Sequence, residues 1–372
     1  MKVVYVSPHA DLGGAERTMM DLVALHDRRL VEPSLVFLSQ GPLVEAARAL
    51  GVPAEVLPAP RLRQVAAARA LRRSLAAHLR ARGADLVHAV MAWGHVYAGW
   101  AARSAGVPAV WFQQNVPEWR NWLDVWAAYT PAARVLANSR FTASHQRRMR
   151  PWARNVEVVH LGVRLPDDDR EVRRARGRLA LGMGEGEFAV GIAARLQRWK
   201  GQDVVLRAFA SLARRRPGSR LFVIGGPLFG IEPDYPGVLR GLAEDLGIAG
   251  RVVFTGHRTD IPDCLAALDV AVHASVRPEP FGLALVEAMA AGTPLVAADA
   301  GAIREIVSPG ADGLVTPPGD AEALAAVLLA LHDDPARRAS LAAAGLETVR
   351  ARFDARIMTS RVEDVYRNIL GA

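Results

Sequence analysis

Apolar residues gather in short continuous runs, and between the runs they recur at helical spacing. In the first half the runs fall at residues 3–7, 35–38, 54–57, 86–90, 109–112, 135–138 and 156–160. Each is too brief for a buried helix and reads as a strand covered on both faces. A helical stretch follows the first run at about 15–25, after a loop that carries Gly13-Gly14. Strands alternating with helices predict a parallel sheet. The rhythm breaks at residues 160–169 (HLGVRLPDDD), where Gly, Pro and three acids suit a linker. It then restarts with runs at 188–193, 221–224, 252–255, 270–273 and 295–298, and a helix-rich tail begins at 321. The expected fold class is α/β, two Rossmann-like domains facing across a cleft. The expected domains are residues 1–163, joined by a terminal helix at about 353–372, and residues 164–352.

Composition agrees with two cores: 372 residues, 51% of them hydrophobic, exceed one ordinary domain. A single cysteine, Cys264, rules out a disulfide within the chain and suits a reducing compartment. The opening MKVVYVSPHA lacks the length and cleavage pattern of a signal peptide, and no apolar run spans a bilayer. A cytoplasmic protein is expected, with the inner face of a membrane as its one plausible anchorage. Charge is uneven: residues 1–160 carry a net +9 and residues 161–372 a net −1. That asymmetry has two readings, an anionic partner for the first half or solvated arginine faces. Only two of the 46 basic residues are lysine, Lys2 and Lys200. An arginine-writing chain that keeps one internal lysine, just before a glycine, marks Lys200 for function.

The block 279–294 (EPFGLALVEAMAAGTP) follows the run at 270–273. Pro280 and Gly282 suit a turn into a helix that is apolar from Leu283 to Ala291 except at Glu287. A helix apolar on all sides is buried. Its lone carboxylate then needs donors, because burying it bare costs several kcal/mol. Ribose hydroxyls would serve; a structural Glu bonded to backbone or Arg is the alternative. The unpaired N–H groups near Gly282–Leu285 are a natural seat for phosphate, and Glu279 stands in the loop within reach of a sugar. In GIAARLQRWKGQDVV, residues 191–205, Arg195 and Lys200 follow a strand end five positions apart. They are placed to clamp a diphosphate and neutralise its developing charge. Arg198 lies in the same loop and is a competitor for either role. The other reading is a loop of surface cations.

Weaker signals surround these. Gly13 and Gly14 permit close backbone approach to a ligand, or form a plain turn. Their spacing is not the dinucleotide G-x-G-x-x-G. His257, after the run at 252–255, is a candidate neighbour of a nucleobase or a surface histidine. Tryptophans cluster between residues 93 and 126, Trp111, Trp119, Trp122 and Trp126 among them. They suit an acceptor groove, a membrane interface or a core. The stretch 60–82 holds seven arginines and no acid, with Leu71, Leu75 and Leu79 at helical spacing. It reads either as a lipid-surface helix or as a covering helix with a solvated face.

Gly-Gly after the first strand, Asn138-Ser139, His160-Leu161-Gly162-Val163, Arg195…Lys200-Gly201, Gly225-Gly226 and Glu279-x7-Glu287 with Gly292-Thr293-Pro294 form an ordered set. In that order they resemble the family 4 glycosyltransferases, retaining enzymes of GT-B fold, over nearly the whole chain. The resemblance implies that Arg195 and Lys200 hold the diphosphate and that Glu287 binds the ribose. It implies that Glu279, with the backbone of Phe281, Gly282 and Leu283, binds the transferred sugar, and that Gly14 approaches the phosphates. It implies no metal and no cofactor beyond the nucleotide-sugar donor. Many members carry a histidine after the strand that here reads AVWF; this chain has Gln113-Gln114-Asn115, with Gln114 at the likely position. An amide hydrogen-bonds a hydroxyl but takes no proton. Gln114, Asn115 and Gly13 are thus acceptor-side candidates, and His88 and His95 are nearby substitutes for the missing base.

The expected function is transfer of a hexose-type sugar from a nucleoside diphosphate to a hydroxyl of a glycan or lipid-linked acceptor in polysaccharide biosynthesis. The acceptor or an anionic membrane would face the basic first domain, and no nucleic-acid partner is expected. Two alternatives are an NDP-sugar epimerase of related fold and a nucleotide-binding protein that has lost catalysis.

Overall fold

A computed structural model describes every residue except 12, 62, 228, 229 and 372. The chain forms two compact units, Met1–Arg164 with Ala355–Ala372 and Leu165–Asp354.

In the first unit the strands are β1 (Lys2–Ser7), β2 (Glu32–Phe37), β3 (Ala54–Val56), β4 (Leu86–Val90), β5 (Ala109–Gln113), β6 (Arg134–Ala137) and β7 (Val156–Val158). They make one sheet in the order 3-2-1-4-5-6-7, and every pairing is parallel. Central strands such as β4 and β5 are buried along their whole length, which is why they read as runs that are apolar but for His88 and Gln113. The helix Val65–Arg82 turns Leu71, Leu75 and Leu79 into the core and Arg69, Arg73 and Arg80 outward, while Arg72 is half-buried. Its apolar face is therefore spent on the protein interior, which removes the lipid-surface reading of this helix.

The terminal helix Ala355–Leu370 belongs to this unit through Met358, Val362, Val365 and Tyr366. Tyr366 Oη lies 2.7 Å from Tyr5 Oη and 2.5 Å from His88 Nδ1. Tyr5 Oη meets His26 Nε2 at 2.6 Å, and His26 Nδ1 meets Glu363 at 2.8 Å. Buried hydroxyls and imidazoles need such partners, and the network fixes the helix on the sheet. His95 is stacked on Trp111, with ring centroids 4.7 Å apart. Both His88 and His95 are fully buried. Burial pushes each imidazole down to about 3, with His26 adding to the effect at His88. Neither is placed to serve as a general base: both are core residues, closed off from solvent.

In the second unit the strands are β8 (Phe188–Ala193), β9 (Ser219–Ile224), β10 (Val252–Gly256), β11 (Val270–His273), β12 (Leu295–Ala298) and β13 (Leu314–Thr316). The order is 10-9-8-11-12-13, again all parallel. Growth from β8 proceeds first towards β10 and then, from β11, in the opposite direction. The carboxyl ends of β8 and β11 therefore flank a topological switch point, where open α/β sheets bind ligands.

Candidate functional site

The loops after β8 and β11 meet at this switch point. Trp199 O accepts from Val276 N at 2.8 Å. Gly201, with φ of 71°, lies so close to β11 that a Cβ there would sit 2.0 Å from Ala274 O. Only glycine permits both the left-handed backbone and that approach. The packing delivers Lys200, from a short turn Arg198–Lys200, to Glu279. Lys200 Nζ donates to Glu279 Oε1 and lies 3.9 Å from the centroid of the Trp199 ring. The same carboxylate oxygen accepts from Ser275 Oγ at 2.7 Å and lies 3.0 Å from His273 Nε2.

Glu279 is 4% exposed, so its charge stands only because it is paired and hydrogen-bonded. Burial alone would raise its carboxyl; the Lys200 charge and the His273 bond outweigh that and hold it well below the usual carboxylate range. Burial pushes the Lys200 ammonium down, Glu279 pulls it back up, and Arg195 adds a further downward push. Arg195 is exposed, and among the described residues no carboxylate pairs with it. Its carbonyl accepts from Gln202 Nε2 at 2.8 Å, which pins the loop. Arg198 is occupied elsewhere: it donates to Asp234 at 2.5 Å and stacks 5.0 Å from the Tyr235 ring centroid.

Glu279 is tied through its backbone to the loop after β12, where Ala302 N donates to Glu279 O at 3.0 Å. Phe281 is buried with its ring centroid 5.9 Å from that of Phe353. Gly282, at φ of 102°, caps the helix Leu283–Ala290. Glu287 is half-buried on that helix, with Leu285, Val286, Ala288 and Met289 buried around it. His257 is exposed after β10, at the sheet edge with β9 between it and β8. It stands outside the Lys200–Glu279 cluster.

In the first unit Gly13 caps the helix Gly14–Leu25, and a Cβ at Gly13 would lie 2.4 Å from Glu16. Gln114 is buried after β5, with its carbonyl accepting from Asn138 Nδ2 at 2.9 Å, while Asn115 is exposed. Sequence reasoning did not single out His273 and Ser275. The available signal was two polar side chains ending an otherwise apolar strand, immediately before the Glu279 loop.

A second feature is built by the segments that follow β3, β4 and β5. Arg61, Arg63, Trp93, Trp122 and Trp126 line an open cavity of about 520 Å³. Of the clustered tryptophans, Trp111 is core, whereas Trp119 and Trp122 are 57% and 58% exposed.

The family model described as "Glycosyl transferases group 1" matches residues 177–348, and that described as "Glycosyltransferase Family 4" matches residues 12–166. The chain is 32% identical to D-inositol 3-phosphate glycosyltransferase 1 of Catenulispora acidiphila, over 99% of this chain and 94% of that protein. It is 33% identical to the lipopolysaccharide core biosynthesis mannosyltransferase LpsB of Rhizobium meliloti, over 53% of this chain and 56% of that one. Among solved structures it is similar to Anabaena HepE in complex with UDP and glucose. The TM-score is 0.86 at 28% identity, over 98% of this chain and 99% of that one.

Proposed function

The chain belongs to the family 4-like glycosyltransferases of GT-B fold, and on that premise we propose that it transfers a sugar, with retention, from a nucleoside-diphosphate sugar to a hydroxyl of a glycan or lipid-linked acceptor. One observation carries the reading. Two cations, Arg195 and Lys200, converge beside a buried ionised Glu279 at the switch point of the second sheet. Arg195 and Lys200 bind the diphosphate. Glu279, with the backbone of Phe281, Gly282 and Leu283, binds hydroxyls of the transferred sugar, and Glu287 binds the ribose. The Anabaena relative solved with UDP and glucose supports a donor of this type.

In the step itself the bond from the anomeric carbon to the phosphate oxygen breaks. A bond to the acceptor oxygen forms on the same face, and the acceptor proton passes to the departing phosphate. Negative charge grows on that phosphate, and fixed cations aimed at it stabilise the transition state more than the ground state. No metal takes part in this scheme, because Arg195 and Lys200 supply the countercharge.

The test is a thermal-shift screen with UDP, GDP, ADP and dTDP and their sugars in EDTA, followed by NMR of the anomeric configuration of any product. A shift from one base and a product that keeps the donor's configuration are expected. An inverted product, or turnover that stops in EDTA and returns with a divalent cation, would overturn the corresponding part.

A further inference from the structure

We propose that the cavity in the first unit binds an anionic saccharide, a chain bearing carboxylate or phosphate, as the acceptor. This rests on the glycosyltransferase reading and names its substrate class. Position comes first. Arg61 and Arg63 follow β3, Trp93 opens the helix after β4, and Trp122 and Trp126 lie on the helix after β5. Ligands of parallel α/β sheets bind at the carboxyl ends of the strands, and about 520 Å³ is within the usual range for small-molecule sites, roughly 300–1,000 Å³.

Chemistry then selects the occupant. The Trp122 and Trp126 ring centroids lie 6.2 Å apart at 44°, and those of Trp93 and Tyr97 lie 6.4 Å apart at 65°. Tilted indoles at the mouth of a cavity offer flat apolar faces, which suit the C–H faces of pyranose rings. Two cations, Arg61 and Arg63, line the cavity with them. The Arg72 guanidinium lies 5.4 Å from the Trp126 ring centroid and 5.9 Å from that of Tyr97. Arg72 Nε and Nη2 are buried with no hydrogen-bond partner. Among the described residues no carboxylate pairs with Arg61, Arg63, Arg69, Arg72 or Arg73, and residues 60–82 contain no acid. Guanidinium groups without internal countercharge favour carboxylate or phosphate, which they bind through paired N–H groups.

A lipid surface fits less well. The helix Val65–Arg82 keeps its leucines in the core, so it offers no apolar stripe to a bilayer. Trp122, the exposed indole among the lining residues, faces a concavity shared with Trp93 and Trp126.

The test titrates the full chain, followed by tryptophan fluorescence, with four probes. These are a hyaluronan tetrasaccharide, glucose 6-phosphate, neutral cellotetraose and phosphatidylglycerol vesicles. Saturable binding of one anionic sugar at least tenfold tighter than cellotetraose is expected. Trp122→Ala and Arg63→Ser, both at exposed positions, should each weaken it at least fivefold and leave the thermal shift from UDP unchanged. Equal binding of charged and neutral sugars, binding by neither anionic sugar, or binding confined to vesicles would overturn the proposal. Anionic-sugar binding in a protein that no nucleoside diphosphate stabilises would uphold the groove and overturn the donor reading instead.

Discussion

His273 Nε2 stands 3.0 Å from Oε1 of Glu279, six residues further along the chain. Three donors, from His273, Ser275 and Lys200, converge on that one oxygen. Oε1 is thus occupied, and in the proposed reading Oε2 is the atom that meets a sugar hydroxyl. His273 Nδ1 is buried without a partner, so the ring's contact with the carboxylate is made through Nε2. His273 is then a positioning residue for Glu279.

His273→Leu removes a donor from a buried carboxylate and frees it to rotate. Misplacement of about 1 Å can cost roughly a hundredfold in rate. The expected result is kcat reduced by about tenfold to a hundredfold, with the Kd for free nucleotide unchanged. His273→Gln, which keeps a donor, should restore much of the rate. Equal losses in both variants would make the histidine merely structural.

Lys200→Met leaves Glu279 buried with only His273 and Ser275 beside it. Breaking a buried pair from one side costs about 3–5 kcal/mol, and losing a charge-stabilising donor costs about 10²–10³ in kcat. Both losses are expected, in calorimetry and in turnover. The double variant Lys200→Met/Glu279→Gln should regain stability while staying inactive, because no buried charge is then left bare. A single variant as stable as the wild type would show that the pair contributes nothing to folding.

Much of this was legible because the physics is local. A strand buried on both faces is a short, mainly apolar run, so β1, β4, β8, β11 and β12 lie where the pattern put them. The edge strand β13, Leu314–Thr316, has three residues and no periodicity to find. Lys200 and Glu279 each stood out by residue type, but their bond spans 79 positions and depends on β8 and β11 being neighbours. That adjacency follows from crossover topology and leaves no local trace. His88 and His95 looked like chemistry and proved to be core, since an imidazole in a strand or helix does not announce whether a tyrosine or an indole waits beside it.

Gly201→Ala tests the contact that sets the two loops. Left-handed backbone costs a residue with a Cβ about 1–2 kcal/mol, and here the new atom also meets Ala274 O at 2.0 Å. The Lys200 loop must move off β11. A lowered Tm and loss of the shift from nucleoside diphosphate are expected. Gly218→Ala, where nothing lies within 4 Å of the new Cβ, should leave both unchanged.

Glu287→Gln addresses the ribose assignment. A hydrogen bond to a charged group contributes about 1.5–3 kcal/mol, so UDP affinity should fall by roughly tenfold or more. The discriminating ligand is 2′,3′-dideoxy-UDP, which lacks the hydroxyls. Wild type should bind it weakly and Glu287→Gln should show little further loss. An undiminished penalty on the dideoxy compound would place Glu287 elsewhere.

Acid should weaken the first unit in a defined window. An unfolded histidine gains its proton near pH 6.5, whereas folded His88 and His95 resist it down to about pH 3. Between those values the unfolded chain binds more protons, so stability falls as pH falls. Each unit of separation is worth about 1.4 kcal/mol, and two histidines over this window give several kcal/mol. Glu279 acts in the same direction at lower pH: its folded carboxyl lies below the ordinary value, so its contribution is full above about pH 4.5 and fades beneath it. Urea titrations from pH 7.5 to 4 should show a midpoint that declines from about pH 6.5 downward, before the carboxylates titrate. His95→Phe keeps an aromatic ring against Trp111 and removes one titrating group, so it should flatten the upper part of that decline. A midpoint constant down to pH 5 in the wild type would show that neither imidazole is as buried in solution as its packing against Trp111 and Tyr366 requires.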